Sequence, residues 1–245
     1  MIAAGLCWST GGIFVRSVAM TDAWEIVLWR SVFMAAFLFA VLAWWHRGAL
    51  WSKIAAVGAA GLLSGALLAC TFFFFILSLT RNTAANTFVL MSTGPFFVAV
   101  LGLVFLGERV PAAFAFNVVV LRKMHTTVDM VPSVMIAGLI SIAVALPFAW
   151  PLAPTARDLA VLAPMGMIQL GLGCLLMTQA SRHLSAGEIG LFTLIETILA
   201  PLWVWIGVGE RPSELALAGG VIVFGALAAN EWVGLRQAGT AGPQG

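Results

Sequence analysis

The chain alternates between long apolar runs and short polar breaks, and most runs are as long as a bilayer is thick. They cover residues 1–19, 24–45, 54–79, 83–106, 131–150, 157–181, 185–208 and 213–234. The breaks hold most of the charges, as in Arg16–Asp22, His46-Arg47…Lys53 and Pro151…Arg157-Asp158. About 20 apolar residues of helix cross the hydrocarbon core. Strict apolar–polar alternation is absent, so the runs predict helices and not barrel strands. Trp44, Trp45, Trp51, Trp150 and Trp232 stand at run ends, where an interfacial belt is expected. One run is too short to span: Ala112 to Leu121 is about 15 Å of helix against a ~30 Å core. A half-helix over 112–122, with both ends on one face, is expected there. The expected fold is an all-α integral membrane bundle of eight full spans and this half-helix.

The pattern also repeats. Phe88–Pro111 reads FVLMSTGPFFVAVLGLVFLGERVP and Leu191–Pro212 reads LFTLIETILAPLWVWIGVGERP, with Arg81 and Ala85 upstream of the first matching Arg182 and Ala186 upstream of the second. WSTGGIFVRSVAMTD (8–22) aligns with AFNVVVLRKMHTTVD (115–129) at an offset of 107, and the third and fourth helices find counterparts at offsets of 101–102. The chain divides into two copies of one unit, 1–111 and 112–245. A period this long is no solenoid repeat; it fits the internal repeats of secondary transporters. With the N-terminus inside, the cytoplasmic loops hold Arg47, Lys53, Arg109, Arg122, Lys123, Arg182 and Arg236 against Arg16, Arg81, Arg157 and Arg211 outside. Seven against four favours that orientation.

Composition agrees. Residues are 62% hydrophobic and 9% charged, and the mean hydropathy is +1.05, where soluble domains run about 45–50% apolar and about 25% charged. A net charge of +2 without clustering excludes nucleic acid as a partner. Cys7, Cys70 and Cys174 lie in apolar runs without a CxxC, and each reads as a small buried hydrophobe, with no metal or cofactor expected. The start, MIAAGLCWSTGG, has no charged n-region, so no cleaved leader is expected. HExxH, Gly-x-Ser-x-Gly and phosphate-cradling glycine loops are absent, which argues against an enzyme.

WSTGGIFVRS in the first helix, WEIVLWRSVFMA in the second, the LGER and VGER endings and LIETILAPLWVWIGVGERP together resemble the EamA-type branch of the drug/metabolite transporter superfamily. Thr197 stands where that family usually has Pro. The resemblance covers nearly the whole chain. It implies ten helices in two inverted five-helix repeats around a central cavity, in a bacterial inner membrane. This chain departs from it: a fifth helix and the first half of a sixth are missing between Pro111 and Ala112, roughly forty residues at ~20 per span. Two functions stand against each other. One is a secondary transporter moving a small organic metabolite, amino acid or drug by alternating access. The other is a transport-inactive remnant of one.

Glu196 is the sharpest site candidate. A carboxylate in mid-span must face a cavity, pair or take up a proton, so it suits proton coupling or a cationic substrate group. Arg30, two turns into the second span, offers a planar fork to a substrate carboxylate, or else it snorkels or bonds carbonyls. Glu25 lies five residues before it, on another helix face. Trp8, Asn86, Gln169 and Thr178 are candidates to line the same cavity, with helix packing as the alternative for each. Trp29, Trp203 and Trp205 also lie within spans and read as packing before aromatic walls. Glu188 suits a helix N-terminus. Glu108 and Glu210 each follow a Gly and read as turn-and-anchor devices. Gly61, Gly65, Gly166, Gly171 and Gly173 thin two helices for close packing.

Overall fold

The computed structural model describes residues 1–46, 57–92, 130–181 and 186–211, with positions 214, 218, 221 and 225. The described residues are helical between their turns, with no strand among them. Among the described residues three helical stretches are long and apolar enough to cross a membrane, Ala23–Trp45, Gly61–Arg81 and Ala156–Ala180, and Val131–Ala145 and Ile198–Val208 are shorter apolar ones. The half-helix at 112–122, Glu108, Trp51, Trp232 and most of 213–234 fall outside the described residues.

The first span is two helices, α1 (Ile2–Ser9) and α2 (Gly11–Ser17), joined at Thr10. The break follows from Ser-Thr-Gly-Gly. The Ser9 hydroxyl donates to Leu6 O at 2.8 Å and that of Thr10 to Cys7 O at 2.6 Å, so local bonds compete with the ladder where two glycines weaken it. Next come α3 (Ala23–His46), α4 (Gly58–Arg81) and α5 (Ala84–Ser92). The run 131–150 is helical only over α6 (Met130–Ala145), because Pro147 and Pro151 disfavour helix at the residues before them. The run 157–181 is continuous but not uniform. It is α7 (Ala156–Pro164), a π-helical segment (Met165–Leu172) and α8 (Gly173–Ser181). Pro164 lacks the N–H that an α-turn needs, and the wider turns begin directly after it. Finally, α9 (Ala186–Val208) ends at Gly209, whose φ of +74° and N–H to Trp205 O at 3.0 Å make the left-handed cap expected of the Gly-Glu-Arg motif.

Helices α3 and α6 run antiparallel at the centre, α4 covers α6, and the π segment with α7 covers α3. Glycines set the closeness. A Cβ at Gly65 on α4 would meet Ser133 O at 3.2 Å, Ile136 Cγ2 at 2.9 Å and Ala137 N at 3.4 Å. A Cβ at Gly166 would meet Arg30 O, Phe33 Cβ at 2.8 Å and Met34 N at 3.0 Å. In both cases the neighbours are the carbonyl of one residue, the side chain three further on and the amide four further on. Adding 103 carries Arg30, Phe33 and Met34 onto Ser133, Ile136 and Ala137, and adding 101 carries Gly65 onto Gly166. Adding 103 also carries Ala35 onto Gly138, and these two meet each other, Ala35 Cβ lying 3.4 Å from a Cβ at Gly138.

One face of the bundle is stitched by carboxylates. Glu25 Oε1 accepts from Ala153 N at 3.0 Å. Asp158 closes a capping box with Thr155 and accepts from Ala19 N at 2.8 Å. Glu210 accepts from Ala84 N at 2.7 Å and pairs with Arg16 Nε at 2.7 Å, while Arg16 Nη2 donates to Asn82 O at 2.6 Å. These bonds join the turns after α2, α4, α6 and α9, the four breaks expected on one side of the membrane.

The cysteine reading needs correction. Cys174 is buried, Cys7 is half-buried and Cys70 is exposed. Cys70 lies on the outward face of α4 beside exposed Leu67 and Phe74, and an apolar thiol in lipid gains nothing from burial inside protein. Trp44 and Trp150 are likewise exposed at helix ends.

Because a methyl group at Gly166 meets backbone, Gly166→Ala is expected to cost about 1–3 kcal/mol. Gly225→Ala, with nothing within 4 Å of the new Cβ, is expected to be neutral. Thermal unfolding of the purified variants in detergent separates the two.

Candidate functional site

The break at Thr10 turns the main chain of the first span toward the interior. The Ser9 hydroxyl accepts from Trp203 Nε1 at 3.0 Å, which ties α1 to α9. The Trp8 carbonyl accepts from Gln169 Nε2 at 3.5 Å, which ties α1 to the π segment. The Trp8 indole lies over Gly173, next in sequence to Cys174, where a Cβ would stand 2.5 Å from its Nε1. Gln169 also backs onto Gly11, so the first span and the π segment approach on small residues from both sides.

Arg30 is wholly buried, so it does not snorkel. Its Nη2 donates to Phe72 O at 3.2 Å and its guanidinium lies 5.5 Å from the Phe72 ring centroid, while Nε has no partner. Among the described residues no carboxylate forms an ion pair with it. Glu25 does not serve, since it is turned toward Ala153. Glu196 on α9 is half-buried and, among the described residues, forms no ion pair. Phe72, which receives the Arg30 guanidinium, packs in the same buried cluster as Cys174. Two opposite charges thus stand in the bundle without an ion-pair partner among the described residues. Uncompensated charge is costly in such an interior.

The other expected residues divide. Gln169 is buried with Oε1 unpartnered, close to Trp8 and Gly11. Thr178 is buried, and its hydroxyl donates back to Cys174 O at 2.8 Å. Asn86 is exposed in the first turn of α5, its amide donating to Thr83 Oγ1 at 3.2 Å, and it is not brought to the others. Ser9, Cys174 and Trp203 complete the cluster without having been singled out for it. Trp205 is exposed, and the Glu188 side chain lies outside the described residues. No group of three or more His, Cys, Asp or Glu able to hold a metal occurs among the described residues.

Comparison with known proteins extends this picture. The EamA-like transporter family matches the chain twice, over residues 1–113 and 110–230. The pseudopaline exporter CntI of Pseudomonas aeruginosa is similar in two strains, UCBPP-PA14 and PAO1. Each is 24% identical over 265 residues, covering 91% of this chain and 91% of the relative. Since 91% of 245 is about 223, some 42 of the 265 aligned positions have no counterpart here. No solved structure matches the chain significantly.

A buried cation kept for structure destabilises when removed, whereas one kept for another purpose does not. Arg30→Met is expected to leave thermal stability in detergent unchanged or to raise it by about 1–3 kcal/mol. A fall of that size would mark Arg30 as a structural residue.

Proposed function

The chain belongs to the EamA-like transporter family, and from that membership we propose a secondary transporter that exports a small organic molecule by alternating access, holding it between Arg30 and Glu196. It is a multi-pass membrane protein. Family and relatives point to transport and not to catalysis. One observation carries the reading: the chain holds a wholly buried guanidinium and a mid-span carboxylate, both without an ion-pair partner among the described residues. Arg30 takes a carboxylate or other planar anion of the substrate. Glu196 takes a cationic group or the coupling proton. Trp8 forms a wall, Gln169 orients polar atoms through its free Oε1, and Thr178 lies one helical turn below Cys174. The geometry supports leaving Asn86 outside the site. The outward direction follows the exporter relatives, and their bacterial source supports an inner membrane.

Alternating access needs two halves related by inversion, which is the internal symmetry of many secondary transporters. The matched glycine contacts support it. Exchanging α4 with the π segment and α3 with α6 maps one contact onto the other, and Ala35 meets its own counterpart Gly138, as residues beside a two-fold axis must. The two family matches meet at 110–113, which supports the division into 1–111 and 112–245. We assign eight full spans and one half-helix. The 42 unmatched positions are the size of a span and a half, which supports a deletion of that length, assigned after Pro111 from the repeat, and also keeps the inactive remnant as a second reading.

Flux in proteoliposomes tests both. The wild type is expected to show saturable flux that changes with pH, and Glu196→Gln flux at least tenfold lower or independent of pH. Equal flux in both at every pH removes proton coupling. No flux of any small zwitterion, cation or carboxylate favours the remnant.

A further inference from the structure

The carboxylates on the Arg16 face are not equivalent. Glu25 is 7% exposed and Asp158 2% exposed, whereas the side chains of Arg16 and Glu210 are 25% and 22% exposed. Breaking either buried tie would strand a carboxylate without water. Breaking the exposed ion pair would not, because both ions can turn to solvent, and exposed pairs contribute little to stability. The exposed pair also stands where three elements meet: the end of α2, the start of α5 and the cap of α9.

Beneath it the structure is layered along α2 and α1. One turn down from Arg16, Gly12 lies against Val204, Phe88 and Ala84. Next, Gly11 lies against Gln169 and Phe75. Then come Ser9 with Trp203 and Trp8 with Gly173, the neighbour of Cys174. Eight residues separate Arg16 from Trp8, about 12 Å of helix. Gly11 and Gly12 keep part of this seam free of interlocking side chains, and Ile13 of α2 packs on Gly207 of α9, a surface with no side chain to hold it.

We propose that the Arg16–Glu210 pair is the latch of the exit on this face: its rupture lets the first span separate from α5 and α9 and opens the Trp8–Cys174 cluster to water. The proposal rests on the alternating-access reading above.

The native Cys174 reports on it, with no substrate required. In a Cys7→Ala, Cys70→Ala background, a membrane-impermeant thiol reagent is applied separately to each face of sealed vesicles. A parallel Ser17→Cys protein identifies the Arg16 face. Arg16→Gln and Glu210→Gln are each expected to speed Cys174 labelling from that face about fivefold or more, and from the other face not at all. Raising salt from about 0.05 to 1 M does the same to the wild-type pair, which needs no substitution to fold. Glu25→Gln leaves the rate unchanged. Unchanged labelling in both latch variants and at high salt overturns the latch. So does equal acceleration from both faces, or the same acceleration in Glu25→Gln. Cys174 open to both faces at once in the wild type would instead overturn alternating access itself.

Discussion

A wholly buried guanidinium with no carboxylate paired to it among the described residues is the constraint around which this structure is arranged. Arg30 is held by one carbonyl and one aromatic face, and its Nε is left over. The same residue serves twice. Its main-chain carbonyl is the floor on which Gly166 of the π segment packs, so the helix that carries Gln169 and leads to Cys174 is placed by Arg30 itself. Backbone contact fixes one wall of the proposed site, and the buried side chain is its charge. A π segment suits that position, since its wider turns shift the residues after Pro164 around the helix relative to an α-helical continuation.

Around this centre the polar groups divide by hydration. Carboxylates that bind backbone amides in dry surroundings, Glu25 and Asp158, join α3 to the chain after α6 and α7 to the turn after α2. They tie these elements to one another through buried bonds. The hydrated pair of Arg16 with Glu210 belongs to the seam between the first span and its neighbours, where contacts are made by Gly11 and Gly12. In a bilayer, where apolar surface gives no net drive for helices to associate, small-residue contacts and hydrogen bonds decide which surfaces stay together and which slide.

Much of this was legible in the amino-acid order. Span positions follow from hydropathy, because lipid enforces helices. The Gly-Glu-Arg ending announced Gly209 as a cap and Glu210 as an anchor, because both roles are local. Glu25 was separable from Arg30 by helical spacing alone. The rest depended on partners distant in the chain. Nothing near Arg30 says that Phe72, forty-two residues on, receives its charge. Cys174 reads as any small apolar residue until the Trp8 indole is placed over its neighbour Gly173. Asn86 looked like an intramembrane polar residue, but it stands in an exposed first turn. Two signals were present and local, Ser-Thr-Gly-Gly for the break at Thr10 and Pro164 before the π turns, yet each lay inside an apolar run whose length alone suggested an ordinary helix.

The account stands on Arg30 holding the anionic end of the transported molecule. The most direct measurement is competition for flux in proteoliposomes by a matched carboxylate and carboxamide of one transported compound. The carboxamide is expected to compete at least tenfold more weakly in the wild type, with the difference lost in Arg30→Met. Equal competition by the two in the wild type would contradict it.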